Sequence, residues 1–165
     1  MRSSKLWKKS KKIIGLVVLV AILYIAGNII SICTYSTRDE RCEADVAIIL
    51  GAATYNGEVS PVYRERLKHG VTLYQQGFVA KIIVTGGLGE GNTESDASIA
   101  KGYQTAVIVS DSLHMKRSML LAKDAGIVAY SLPTPTTMYV SWRTKIPFLA
   151  REVFLYVGYK WWRIL

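Results

Sequence analysis

The 165-residue sequence predicts an α/β domain, three layers around a parallel sheet, behind one membrane-spanning helix. Three observations carry this. Four short apolar runs of β type alternate with helix-like runs, the pattern of a parallel sheet with right-handed crossovers. Three of the runs end in glycine or Ser-Asp, the exits at which such sheets bind ligands. And 20 uncharged residues, Ile13 to Ile32, follow a strongly basic tail.

The tail, residues 1–12, carries Arg2, Lys5, Lys8, Lys9, Lys11 and Lys12 and no acid. A 20-residue apolar helix crosses a hydrocarbon core of ~30 Å. The positive-inside rule puts the tail in the cytoplasm and the rest outside, as a single-pass protein of the plasma membrane. The apolar core exceeds the roughly 7–15 residues of a signal peptide, and no convincing Ala-x-Ala follows, which favours an uncleaved anchor. Asn28 is either one tolerated amide near the far interface or the mark of a helix–helix contact. Of the net charge of +9, the tail supplies six, so the basic character belongs to membrane topology and argues against nucleic-acid binding. Cys33 and Cys42 flank the membrane exit. Outside the cytoplasm they are either paired or free, and no zinc spacing accompanies them.

Residues 33–43 read as a linker and 44–165 as the extracytoplasmic domain. Ala44 to Gly51 is a continuous apolar strand of the kind buried on both faces. Asn56-Gly57 marks a turn in the loop from Ala52 to Ser60. Ser60-Pro61 opens a helix to Gln76, with Gly77 as its stop. Lys81 to Thr85 is the second strand, and Gly86-Gly87-Leu88-Gly89-Glu90-Gly91 its exit. Thr93 to Lys101 reads as a short helix and Thr105 to Val109 as the third strand. Ser112 to Ala125 is a helix stopped by Gly126, with Leu113, Leu120 and Leu121 on one stripe. Ile127 to Ser131 is the fourth strand. Phe148 to Ile164 is the last helix, and its aromatic and basic residues suit either packing on the sheet or a membrane interface, with Trp161 and Trp162 near the bilayer.

The chemistry concentrates at the strand exits. Gly86 and Gly87 leave backbone N–H groups free to cradle an anion, or form a plain turn. Glu94 is a base beside that loop or an acid favoured by a helix N-terminus. Ser110 and Asp111 end the third strand, and Asp111 is a cap or a site residue. His114 and Arg117 share a helical face, an imidazole for proton transfer and a guanidinium for phosphate, or a solvated basic edge. Arg66 lies in the run Arg64, Arg66, Lys68, which reads as a solvated face, with an inward-pointing Arg66 that meets a ligand as the less favoured alternative.

These pieces, in order, resemble the SanA/ElyC/YdcF family of membrane-anchored envelope proteins. The likeness runs from about Asp45 to Tyr159. It rests on Ile48-Ile49-Leu50-Gly51, Val59-Ser60-Pro61 with Arg66 downstream, Val84-Thr85-Gly86-Gly87, Glu94-Ser95-Asp96-Ala97, Val109-Ser110-Asp111 leading to His114-Met115-Lys116-Arg117, and Arg151-Glu152. It implies a Rossmann-like fold and a role in the envelope barrier or in peptidoglycan-precursor metabolism, with envelope-biogenesis proteins as partners. It carries over Gly51, Arg66, Gly86, Gly87, Glu94, Asp111, His114 and Arg117 as site residues. One departure stands out: on the order of one β–α unit is missing near Lys101-Gly102, which removes one wall of the cleft and implies reduced or absent activity.

The expected function is therefore an outward-facing cleft for a phosphorylated or nucleotide-like ligand. In an enzyme His114 transfers the proton, while Arg117, Arg66 and the Gly86 and Gly87 amides stabilise phosphate charge. Glu94 or Asp111 orients His114 or binds a metal. The alternative is a non-catalytic scaffold or ligand-binding module. The sequence identifies no cofactor and no metal-ligand set.

Overall fold

The computed structural model describes residues 2–52, 54–55, 58–85 and 103–165. A 34-residue helix, α1 (Arg2–Tyr35), leads into β1 (Ala44–Ile49). A small antiparallel pair, β2 (Thr54–Tyr55) and β3 (Glu58–Val59), brackets the Asn56-Gly57 turn signal. Then come α2 (Pro61–Gln75), β4 (Val79–Val84) and β5 (Thr105–Ser110). A 3-10 turn at Ser112–His114 runs into α3 (Met115–Asp124), followed by β6 (Val128–Pro133) and α4 (Trp142–Trp162).

The main sheet has four parallel strands in the order β4-β1-β5-β6. β1 and β5 lie side by side in the middle because their apolar residues leave no face for water. Val46, Ile48, Ala106 and Ile108 face α3 with Met115 and Ala122. Ala47, Ile49, Val107 and Val109 face α2 with Leu73, Val79 and Leu132. Two apolar faces need a helix on each, and the three-layer Rossmann-like α/β arrangement follows. The chain leaves β1 toward β4 on one side and passes from β5 to β6 on the other, so the winding reverses between β1 and β5. Beyond their carboxyl ends lies the position at which such a reversal leaves a crevice.

Local signals fix the element ends. Ser60 caps α2, its Oγ accepting from the Tyr63 amide at 3.3 Å, with Pro61 as the first helical residue. Gly77 and Gly126 adopt φ of +79° and +77° just beyond α2 and α3, a region that favours glycine. Gly70 lies where α2 crosses β1, and a Cβ there would stand 2.8 Å from Ile49 Cγ1.

α1 contains Ser10–Tyr35, a stretch long and apolar enough to cross a membrane. The helix continues three residues beyond the expected span, and its last turns pack on the domain. Ile32 is buried with Leu113, Phe148, Val153 and Tyr156. Asn28 is buried too, which makes it a helix–helix contact: its Nδ2 donates to the Tyr24 carbonyl at 2.7 Å and its Oδ1 accepts from Lys160 of α4 at 3.4 Å. The expected linker is also held down. Glu40 exchanges hydrogen bonds with Ser131 of β6, amide to carbonyl at 2.8 Å and amide to carboxylate at 3.0 Å. Cys33 and Cys42 are both free thiols, and burial pushes the Cys42 pKa up.

Candidate functional site

A cavity of about 360 Å³ opens at the β1/β5 crevice. Gly51, at the end of β1, and Ser60 with Arg66 of α2 form one side. His114 and Arg117 form the floor, and Tyr139, Phe148, Arg151 and Glu152 close the far side. Six of the residues expected from the sequence thus converge here: Gly51, Arg66, His114 and Arg117 line the cavity, with Ser110 and Asp111 buried behind them. Gly86, Gly87, Glu94 and the Thr93–Lys101 helix lie outside the described residues. The chain reaches them from Thr85, whose Oγ1 accepts the Gly51 amide at 3.2 Å, so this amide already has its partner.

Arg66 is not part of a solvated face. Arg64 and Lys68 are exposed, but Arg66 is only 4 % exposed. Its Nε and Nη2 donate to Asp111 Oδ2 at 3.0 and 2.5 Å, and its Nη1 donates to the Leu50 and Gly51 carbonyls at 2.6 and 2.7 Å. Asp111 stands at the N-cap position of the 3-10 turn but makes no capping bond, because its carboxylate turns to Arg66 instead. One ion pair therefore ties α2 to the exits of β1 and β5 and sets the width of the crevice.

A second pair stands on the opposite wall. Arg117 Nε donates to Glu152 Oε2 at 2.9 Å and its Nη2 to Glu152 Oε1 at 3.1 Å, a two-point grip on a carboxylate 2 % exposed. The same Nη2 lies 2.8 Å from His114 Nε2. Guanidinium has no acceptor, so Nε2 must accept and the ring proton sits on Nδ1. From Nδ1 it is donated to Ser110 Oγ at 2.9 Å. Burial, reinforced by the positive charges of Arg117, Arg66 and Arg151, drives the His114 pKa down to about 3. The imidazole is neutral at physiological pH, with both nitrogens engaged by protein. It positions Arg117 and Ser110.

Sequence reasoning assigned no role to Arg151 and Glu152, although the resemblance included both. Glu152 neutralises Arg117. Arg151 is exposed at the mouth and has no hydrogen-bond or ion-pair partner among the described residues. Among the described residues, three guanidiniums face two carboxylates, which leaves one positive charge without a counter-ion there. Tyr139 stacks on Phe148, ring centroids 4.0 Å apart, and burial raises its pKa so that its phenol stays protonated. No cluster of three or more His, Cys, Asp or Glu side chains able to hold a metal occurs among the described residues. Comparison of the chain with family models, curated proteins and solved structures finds no match in any of the three.

Proposed function

We propose that this chain is a membrane-anchored envelope protein of the SanA/ElyC/YdcF type. Its α/β domain faces outward and binds a phosphate-bearing ligand in the β1/β5 crevice, in support of the envelope barrier or peptidoglycan-precursor metabolism. The observation that carries the ligand class is the Arg151 guanidinium, without a partner among the described residues, above a cavity whose other two arginines are already neutralised. An anion entering there gains a counter-charge in a partly desolvated site, while Arg66 and Arg117 hold the walls in place. The basic residues of the N-terminal segment 1–12 support the outward orientation.

Thermal-shift titration of the detergent-solubilised full chain with inorganic phosphate, pyrophosphate and nucleotides tests the ligand class. A ligand at 100 times its Kd stabilises the fold by ~2.7 kcal/mol. A flat response across all three sinks this assignment. A reporter active only outside the cytoplasm, fused after Leu165, tests the orientation.

Within this reading, the state of His114 favours a ligand-binding module over an enzyme that uses His114 as its base. A base needs a free lone pair, and the Nε2 lone pair is held by Arg117. His114→Gln then leaves function largely intact, whereas Arg151→Ala abolishes it. The reverse result restores the catalytic reading.

A further inference from the structure

The end of α4 runs beside the membrane-crossing part of α1, antiparallel to it. Val153 and Tyr156 pack on Ile32, and four residues later Lys160 reaches Asn28 and lies 5.5 Å from the Tyr24 ring. Residues 24 to 32 form nearly half, the outer part, of the apolar stretch from Ile13 to Ile32. A helix level with them is level with the outer face of the bilayer. Beyond Lys160 the chain heads further toward the apolar middle of α1 and exposes Trp161, Trp162, Ile164 and Leu165, the two tryptophans at 57 and 70 %.

The polar groups at this level limit how deep the contact goes. Arg163 pairs with Asp124 at 2.8 Å, and Tyr159 donates to the same carboxylate at 2.8 Å. The Lys160 ammonium lies against the rings of Tyr24 and Tyr156 and donates to Asn28 Oδ1 at 3.4 Å. These charges do not sit in hydrocarbon. The hydrocarbon boundary therefore falls near Tyr24, and the bare apolar helix from Ile13 to Tyr24 spans only ~18 Å of a ~30 Å core. Lys11 and Lys12 reaching back to their own interface and a domain pressed into the opposite one together close that gap.

We propose that the C-terminal end of α4 is a second membrane contact. Trp161, Trp162, Ile164 and Leu165 are immersed in the interfacial layer of the bilayer that α1 crosses. The domain is thereby seated at a fixed height and tilt, with its crevice carried further back along α4, at Phe148, Arg151 and Glu152, and does not swing from a tether. Indole rings favour this layer, and their continuity with the lipid-facing surface of α1 identifies the lipid bilayer as the occupant of the patch.

The inference rests on α1 crossing the membrane, and one experiment separates the two. The four tryptophans are Trp7, Trp142, Trp161 and Trp162. Phe substitutions give full-length chains keeping only Trp7, only Trp142, or only the Trp161–Trp162 pair. Each is reconstituted in phosphatidylcholine–phosphatidylglycerol vesicles with bromine near the top of the acyl chains, and fluorescence is compared with unbrominated vesicles. Trp142, at the opposite end of α4, stays unquenched by lipid and open to iodide. Trp7 is quenched by lipid. The expected result for the pair is at least twofold quenching by the brominated lipid, with several-fold less quenching by iodide than Trp142 shows. A pair open to iodide and blind to bromine overturns the proposal. A pair shielded from both also overturns it, in favour of a protein partner. Trp7 untouched by bromine removes the anchor itself, and this contact with it.

Discussion

Asp111→Asn is the sharpest test of how the crevice is held. The substitution keeps shape and an acceptor oxygen but removes the charge facing Arg66. That guanidinium is 4 % exposed and makes four hydrogen bonds, two of them to Asp111. The carbonyls of Leu50 and Gly51 remain, yet they supply dipoles where the site had a counter-ion. Removing one partner of a buried pair costs about 3–5 kcal/mol, because the survivor stays charged and dry. A domain is stable by about 5–15 kcal/mol in all, so the loss is a large share. Urea unfolding of the detergent-solubilised chain, followed by far-ultraviolet circular dichroism, measures it. Arg66→Met combined with Asp111→Leu is expected to be much milder than the sum of the single changes, since apolar replacement removes both burial costs. Asp111→Asn within 1 kcal/mol of the parent, or a double variant as damaged as the sum, refutes the reasoning.

Other outcomes follow from single residues. His114 titrates at about 3 when folded and near 6.5 when unfolded. As pH falls from 6.5 the unfolded chain takes up a proton that the folded chain refuses, so stability drops by roughly 1.4 kcal/mol per pH unit. Urea midpoints at pH 6.5 and 5 show that slope, and His114→Gln flattens it without abolishing it, because half-buried His69 is shifted in the same direction. Gly70→Ala drives a methyl into Ile49 and costs about 1–3 kcal/mol; adding Ile49→Val, which removes the nearest atom, recovers part of it in the same assay. Glu152→Gln releases Arg117, and with it the hydrogen bond that holds His114 Nε2, so the ring exchanges between tautomers visible in its nitrogen chemical shifts.

The sheet was legible because its signals are local. Unbroken apolar runs such as Val46 to Ile49 cannot face water on either side, and Gly77 and Gly126 stop their helices within the residues that flank them. Long-range pairing was not legible. Arg66 is indistinguishable in sequence from its solvated neighbours Arg64 and Lys68, and only Asp111, 45 residues on, draws it inside. Arg117 finds Glu152 across 35 residues. The sequence signals put the start of α4 at Phe148, six residues late. Proline suits a first helical turn, and Pro147 instead lies within the helix, after a Ser141 cap whose Oγ accepts from Arg143. The linker looked free because its polar residues are solvated by default, and its anchoring depends on Ser131, about 90 residues away.

The central claim is a crevice made anion-selective by Arg151, the guanidinium that has no partner among the described residues. Calorimetric titration of the full chain with pyrophosphate, for the parent and for Arg151→Ala, tests it most directly. A hydrogen-bonded charge contributes about 1.5–3 kcal/mol, so the account predicts saturable binding that weakens at least tenfold in the variant. Lys145→Ala, one and a half helical turns away on α4, leaves it unchanged. No saturable binding to the parent, or equal affinity in Arg151→Ala, contradicts the account.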